Sequence, residues 1–156
     1  MSDESKMPYA KAFWELIVYQ RARELQGKVF EMTKMFPRDV VHSLTDQIRR
    51  SLRSIGAQIA EAWAKREYVK HFASKLSDAQ AENFETQHWL IAATDAQYWA
   101  RGDSALLFDL CNRIGRMLTC MSDRADEFCA ALQAITLRED SAAWFSNTID
   151  PFSSKD

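Results

Sequence analysis

Leu44-Thr-Asp-Gln-Ile48-Arg-Arg-Ser-Leu52-Arg-Ser-Ile55-Gly-Ala-Gln-Ile59 decides the fold. Its apolar residues recur at spacings of three and four, so at about 100° per residue they form one narrow stripe on a helix. Ser43 just before it carries a hydroxyl suited to capping, with Asp46 in the first turn. Upstream, Val18, Ala22, Leu25, Val29 and Met32 share one line, predicting a first helix from about Ala12 to Met35. It stops at Phe36-Pro37, because proline disfavours helical geometry in the residue before it.

Downstream, Ala62-Trp63-Ala64-Lys65-Arg66-Glu67 holds no breaker, yet an unbroken rod from Ser43 to Trp99 would run about 85 Å at 1.5 Å per residue. One domain cannot cover such a rod, so a bend is predicted near residues 63–67. A third helix follows, with Tyr68, Phe72, Leu76, Ala79, Leu90 and Ala93 on one face, and stops at Arg101-Gly102-Asp103-Ser104. There Gly102 is the expected C-terminal stop and Asp103 or Ser104 the next cap. A fourth helix carries Leu107, Leu110, Ile114, Met117, Met121, Ala125, Phe128 and Leu132. The expected fold is all-α, an antiparallel up-down four-helix bundle over residues 12–132. A polar arm, 1–11, precedes it, and a tail, 133–156, with Trp144, Phe145, Ile149 and Phe152 follows.

Composition agrees. The chain has 156 residues, one domain's worth, and only four Gly and three Pro, too few for a fold built of turns. No apolar run reaches the length of a membrane span, and the polar N-terminus is unlike a signal peptide, so a cytoplasmic, non-membrane protein is expected. Cys111, Cys120 and Cys129 lack any C-x-x-C spacing and are expected to be reduced, helix-borne thiols. Net charge is −2, but residues 1–75 carry 14 Lys+Arg against 9 Asp+Glu, and residues 76–156 carry 6 against 13. Such complementary halves can serve cohesion, subunit attraction or display of a basic face to an anionic partner.

No nucleophile–base pair, metal-ligand cluster or phosphate-cradling glycine loop occurs, so no enzyme, cofactor or metal site is expected. Glu85-x-x-His88 has the spacing of di-iron bundles, but it occurs once and lies about 140° or more from the core stripe of its helix. His42 and His71 lack partners at ligand spacing, and Arg101-Gly-Asp-Ser104 falls where an interhelical turn is required. Two groups point to contacts instead. Arg49, Arg50 and Arg53 fall within about one helical turn off the core stripe and, with Lys65 and Arg66, are candidates for phosphate contact. Salt bridging of the arginines to Glu82 and Glu85 is the alternative. Phe84, Trp89 and Trp99 on the third helix, and Tyr19 and Phe30 on the first, lie off the core stripes and are candidates for a subunit interface.

Three runs carry a family resemblance. They are Phe13-x-x-Leu16-x-Val18-Tyr19-Gln20-x-Ala22-x-x-Leu25; Thr33-x-x-Phe36-Pro37; and Leu44-x-x-Gln47-Ile48-Arg49-Arg50-Ser51 with Ser54-Ile55-x-x-x-Ile59-Ala60-Glu61. With Glu82-Asn83-Phe84-Glu85-Thr86-Gln87-His88-Trp89-Leu90, this order resembles the four-helix bundle proteins first noticed as reading frames in 23S rRNA intervening sequences. That family is similar to the accessory protein of diversity-generating retroelements. The chain departs from the family pattern at Gly56, where Pro is common, and at Ala62, where Gly is common, and it is mildly acidic where accessory-type members are basic. The resemblance implies a ring-like pentamer without catalytic activity that binds RNA, DNA or a nucleic-acid enzyme such as a reverse-transcriptase-like protein. A purely structural or scaffolding oligomer is the alternative.

Overall fold

The computed structural model describes residues 10–139, and among these every regular element is helical. Five α-helices follow in order: α1 Ile17–Thr33, α2 Asp46–Ala64, α3 Val69–Asp95, α4 Arg101–Asp123 and α5 Ala125–Glu139. The longest contact is between α2 and α3, α3 continues onto α4, and α1 packs against both α2 and α4, while α5 touches α3 and α4. The stripes become the core: Leu25, Val29, Ile48, Leu52, Ile55, Ile59, Phe72, Leu76, Leu90, Ile114 and Leu118 are all essentially solvent-free. A smaller cluster of Phe36, Leu44 and Ala93, covered by Tyr98 and Trp99, closes one end. The hydroxyls of Ser51 on α2 and Thr86 on α3 meet at 2.9 Å inside the longest contact. A polar pair buried this deeply fixes the relative register of two helices.

Helix ends depart from expectation, each for a local reason. Regular helix begins at Ile17 rather than Ala12: Phe13–Glu15 form a 3-10 turn, and Leu16 is extended, which tucks its side chain into the core. Ahead of α2, Val41–Thr45 wind as a single π-turn, which buries the adjacent Leu44 and Thr45 together; no side chain, Ser43 included, caps α2. The bend falls at residues 65–68, where Lys65 and then extended Tyr68 break the helix without a glycine.

α3 stops at Asp95, ahead of the expected Arg101 to Ser104 turn, and Gly102 lies inside the first turn of α4. The stop is made by Gln97, whose φ of 60° is left-handed. The Tyr98 amide reaches back to the Ala93 carbonyl at 3.0 Å and the Gln97 amide to the Thr94 carbonyl at 2.9 Å, a Schellman closure with Gln in the position glycine usually fills. Gln97→Gly is therefore expected to stabilise the fold by about 0.5–1 kcal/mol, read as a higher denaturant midpoint with an unchanged slope. The expected fourth helix is divided at Arg124, and α5 runs on to Glu139, past the expected start of the tail at 133. Trp144, Phe145, Ile149 and Phe152, and the arm up to residue 9, lie outside the described residues.

Cys111 is buried, and burial pushes its thiol up to about 12, whereas Cys120 is exposed. A raised thiol pKa in the folded state leaves stability intact below the ordinary thiol range and erodes it as pH rises from about 9 towards 12. At neutral pH iodoacetamide should modify Cys120 in the native protein and reach Cys111 only after unfolding, which peptide mass spectrometry resolves.

Candidate nucleic-acid interface

α2 presents Arg49, Arg50 and Arg53 off its core stripe, but the three side chains do different things. Arg49 is half-buried: its Nε donates to Thr33 Oγ1 at 2.9 Å and its guanidinium lies 4.6 Å from the centroid of the Phe30 ring. Thr33 Oγ1 in turn donates to the Phe30 carbonyl. Arg49 thus fastens the last turn of α1 to α2, a favourable place for a cation at a helix C-terminus. Arg50 reaches Glu85 on α3, Nη2 to Oε1 at 3.5 Å, and the same oxygen accepts the Trp89 indole N–H at 3.1 Å. This is the salt-bridge alternative, realised for Arg50. Arg50 is largely solvated and the contact is long, so the pair contributes little to stability. Arg53 bonds back to the Arg49 carbonyl through Nε, is exposed, and has no carboxylate partner among the described residues.

The local field explains where an anion can sit. Burial and the neighbouring Glu85 push the Glu82 carboxyl up from the ordinary carboxylate range, so two acidic groups stand on α3 beside Arg50. Lys75 is also occupied, its pKa raised by the hydrogen bond it donates to Glu61 on α2 at 2.7 Å, with Asp78 at 3.4 Å and Gln58 at 3.2 Å also within its reach. Toward the α2–α3 bend, Arg53, Lys65 and Arg66 have no ion-pair partner among the described residues, with the exposed carboxylate of Glu67 next along the chain from Arg66. There Lys65 is exposed, and Arg66 lies over the Trp63 ring at 4.8 Å while donating to the Trp63 carbonyl.

Beside them stand Tyr68, 63% exposed and 5.5 Å from the His71 ring, and exposed Lys70. Tyr68 was expected in the core of the third helix; it precedes α3 in an extended conformation, which turns it outward. Tyr68, Lys70 and His71 were missed as contact candidates, although Lys65-Arg66-x-Tyr68-x-Lys70-His71 interleaves cations with rings in the manner of nucleic-acid contact surfaces.

The five aromatics expected at a subunit interface also divide. Phe30 and Phe84 are exposed, Phe84 at 59%. Trp89 is half-buried against both core clusters, Trp99 lies on Phe36 at 5.0 Å and donates to Thr94 Oγ1, and Tyr19 meets Phe13 edge-on at 5.0 Å. Large exposed apolar side chains that sequence periodicity did not single out are Ile17, Met35 and Leu106, the last 70% exposed beside a cleft between α1 and α4. The residues of the Glu85-x-x-His88 string serve locally: Glu85 holds Arg50 and Trp89, and the His88 ring lies 4.8 Å from that of Trp89. Among the described residues no helix is long and apolar enough to cross a membrane.

A family model described as 23S rRNA-intervening sequence protein matches residues 14–120. Among solved structures, the chain is similar to a protein with unknown function from the S23 ribosomal protein family of Bacteroides thetaiotaomicron. The two share 25% identity and superpose with a TM-score of 0.61, over 69% of this chain and 96% of that one. No curated protein matches the chain.

Proposed function

Because the chain belongs to the 23S rRNA-intervening sequence protein family, we propose that it is a non-enzymatic, cytoplasmic interaction protein: an antiparallel up-down bundle that assembles into a closed oligomer, a pentamer by preference, and holds single-stranded RNA or DNA, or an enzyme acting on it. One observation carries the nucleic-acid half of this reading. Arg53, Lys65 and Arg66 lie on α2 and its C-terminal bend, and no carboxylate partners them among the described residues. Exposed tyrosine and histidine rings stand beside them. Cations supply phosphate affinity, and rings offer sequence-tolerant stacking.

Assembly rests on the exposed Ile17, Phe30, Met35 and Leu106, more large apolar surface on α1, its C-terminal end and α4 than an isolated subunit usually displays. The scaffold alternative has its own support, since Arg49 and Arg50 already serve contacts within the subunit. Fluorescence anisotropy with a labelled single-stranded oligonucleotide at about 50 mM salt separates the two: binding that collapses by about 200 mM supports the first reading, and no binding by the assembled protein supports the second.

A further inference from the structure

On the outer side of the α3–α4 contact lies an open groove of about 540 Å³, within the roughly 300–1,000 Å³ range of small-ligand sites. Its floor is unusual. Asn83 is completely buried, its Nδ2 donates to the Cys111 carbonyl at 3.0 Å, and its Oδ1 has no hydrogen-bond partner. Gln80, one turn earlier on α3, also buries its Oε1 without a partner. Both amides lie over Gly115 of α4: a Cβ there would stand 3.2 Å from Asn83 Nδ2 and from Gln80 Nε2, so the glycine is what leaves room for them. Two buried carbonyl acceptors without donors are costly, and any group that brings N–H to them relieves that cost. At the rim stand the exposed Phe84 ring on one side and the exposed Arg116 on the other.

We propose that this groove binds an unstacked nucleobase of a single strand: its amino-bearing edge donates to Gln80 Oε1 and Asn83 Oδ1, its face stacks on Phe84, and Arg116 holds the adjoining phosphate. The half-buried Gln80 side chain has no other hydrogen bond to lose among the described residues, so it can swing with its Oε1 kept on the base amine, the movement that brings Asn83 Oδ1 within reach. A donor-rich base is what the floor selects. Adenine, cytosine and guanine carry an exocyclic amine and uracil does not, so the groove prefers the first three. Of the charged residues that line the groove, Arg124 is held by Glu127 and Asp123 is acidic, which leaves Arg116, without an ion pair among the described residues, to take the phosphate. The inference rests on the nucleic-acid reading above and adds to it a base preference, which the phosphate contacts of α2 and the bend cannot supply.

The test compares labelled oligo-cytidylate and oligo-uridylate of equal length in fluorescence anisotropy at low salt, with sedimentation and circular dichroism on every variant. The parent is expected to bind the cytidylate about tenfold more tightly. Gln80→Leu keeps the side-chain bulk and should bring the two ligands to within about twofold by weakening cytidylate binding, and Phe84→Ala should weaken both about tenfold. Equal binding of both oligonucleotides by the parent would overturn the base site while leaving the nucleic-acid reading in place, and so would a preference untouched by Gln80→Leu. No binding of either would overturn both. A Phe84→Ala protein that falls into smaller species would place that ring in a subunit contact and also overturn the base site.

Discussion

Ile55→Asp is expected to unfold the protein under conditions where the parent is fully native. Ile55 is the centre of the α2 stripe, has no solvent exposure, and lies in the cluster that α1, α3 and α4 share with α2. The substitution deletes a packed aliphatic side chain and puts a carboxylate in its place. Its neighbours in that cluster are apolar side chains, which cannot pair with the charge. The combined cost is on the order of 5 kcal/mol, against a total stability of about 5–15 for a domain of this kind. Circular dichroism should show loss of the helical signal or a melting temperature lowered by about 10–20 °C. Ile55→Val, which keeps the stripe apolar, should cost only about 0.5–1.5 kcal/mol. An Ile55→Asp protein that melted with the parent would mean that this face of α2 is not the core.

The second large effect concerns binding. Arg53→Ala/Lys65→Ala/Arg66→Ala should reduce affinity for a single-stranded oligonucleotide below detection while leaving helix content unchanged. Each phosphate neutralised on a single strand contributes about −0.7 to the salt slope, so three cations on one subunit give a slope near −2 and feeble binding. A ring of five would bring fifteen such cations to one ligand, and engagement of six to ten would make affinity fall roughly 300-fold to 10⁴-fold between about 50 and 200 mM salt. Arg49→Ala should act differently. It removes the bond to Thr33 and the contact with Phe30, so it should lower stability by about 1 kcal/mol and change binding little. Equal binding by parent and triple variant would move the site elsewhere, and equal loss on Arg49→Ala would implicate the whole α2 face.

The all-α architecture was legible because it depends on periodicity, and the residues on the four stripes are long-range neighbours whichever way the ends are trimmed. Leu44, Ile48, Leu52, Ile55 and Ile59 are all buried as their spacing demands. Helix ends were less legible, because the usual marks were elsewhere. The α3 stop is a left-handed Gln97 rather than a glycine, Gly102 is an ordinary helical residue of α4, and the division at Arg124 has no breaker at all. Of the candidate site, the residue types were readable and their employment was not. Arg49 and Arg50 look alike in sequence; only the approach of Thr33 across 16 positions and of Glu85 across 35 shows that both are engaged within the subunit. Tyr68 fitted the apolar stripe of the third helix by angle, but the stripe argument assumes helix, and the chain is extended there. The orphaned acceptors of Gln80 and Asn83 had no sequence signal, since they depend on how α3 packs against α4 at Gly115.

The central claim, an assembly that holds a nucleic-acid strand through α2 and the bend, can be read in one measurement: sedimentation velocity of a fluorescently labelled single-stranded RNA with the unlabelled protein at micromolar concentration and about 50 mM salt. The account predicts that the label moves with a closed oligomer, near the size of a pentamer, and returns to the rate of free RNA at about 200 mM salt while the protein stays assembled. Protein that sediments as a monomer, or an oligomer from which the label remains separate at low salt, would contradict it.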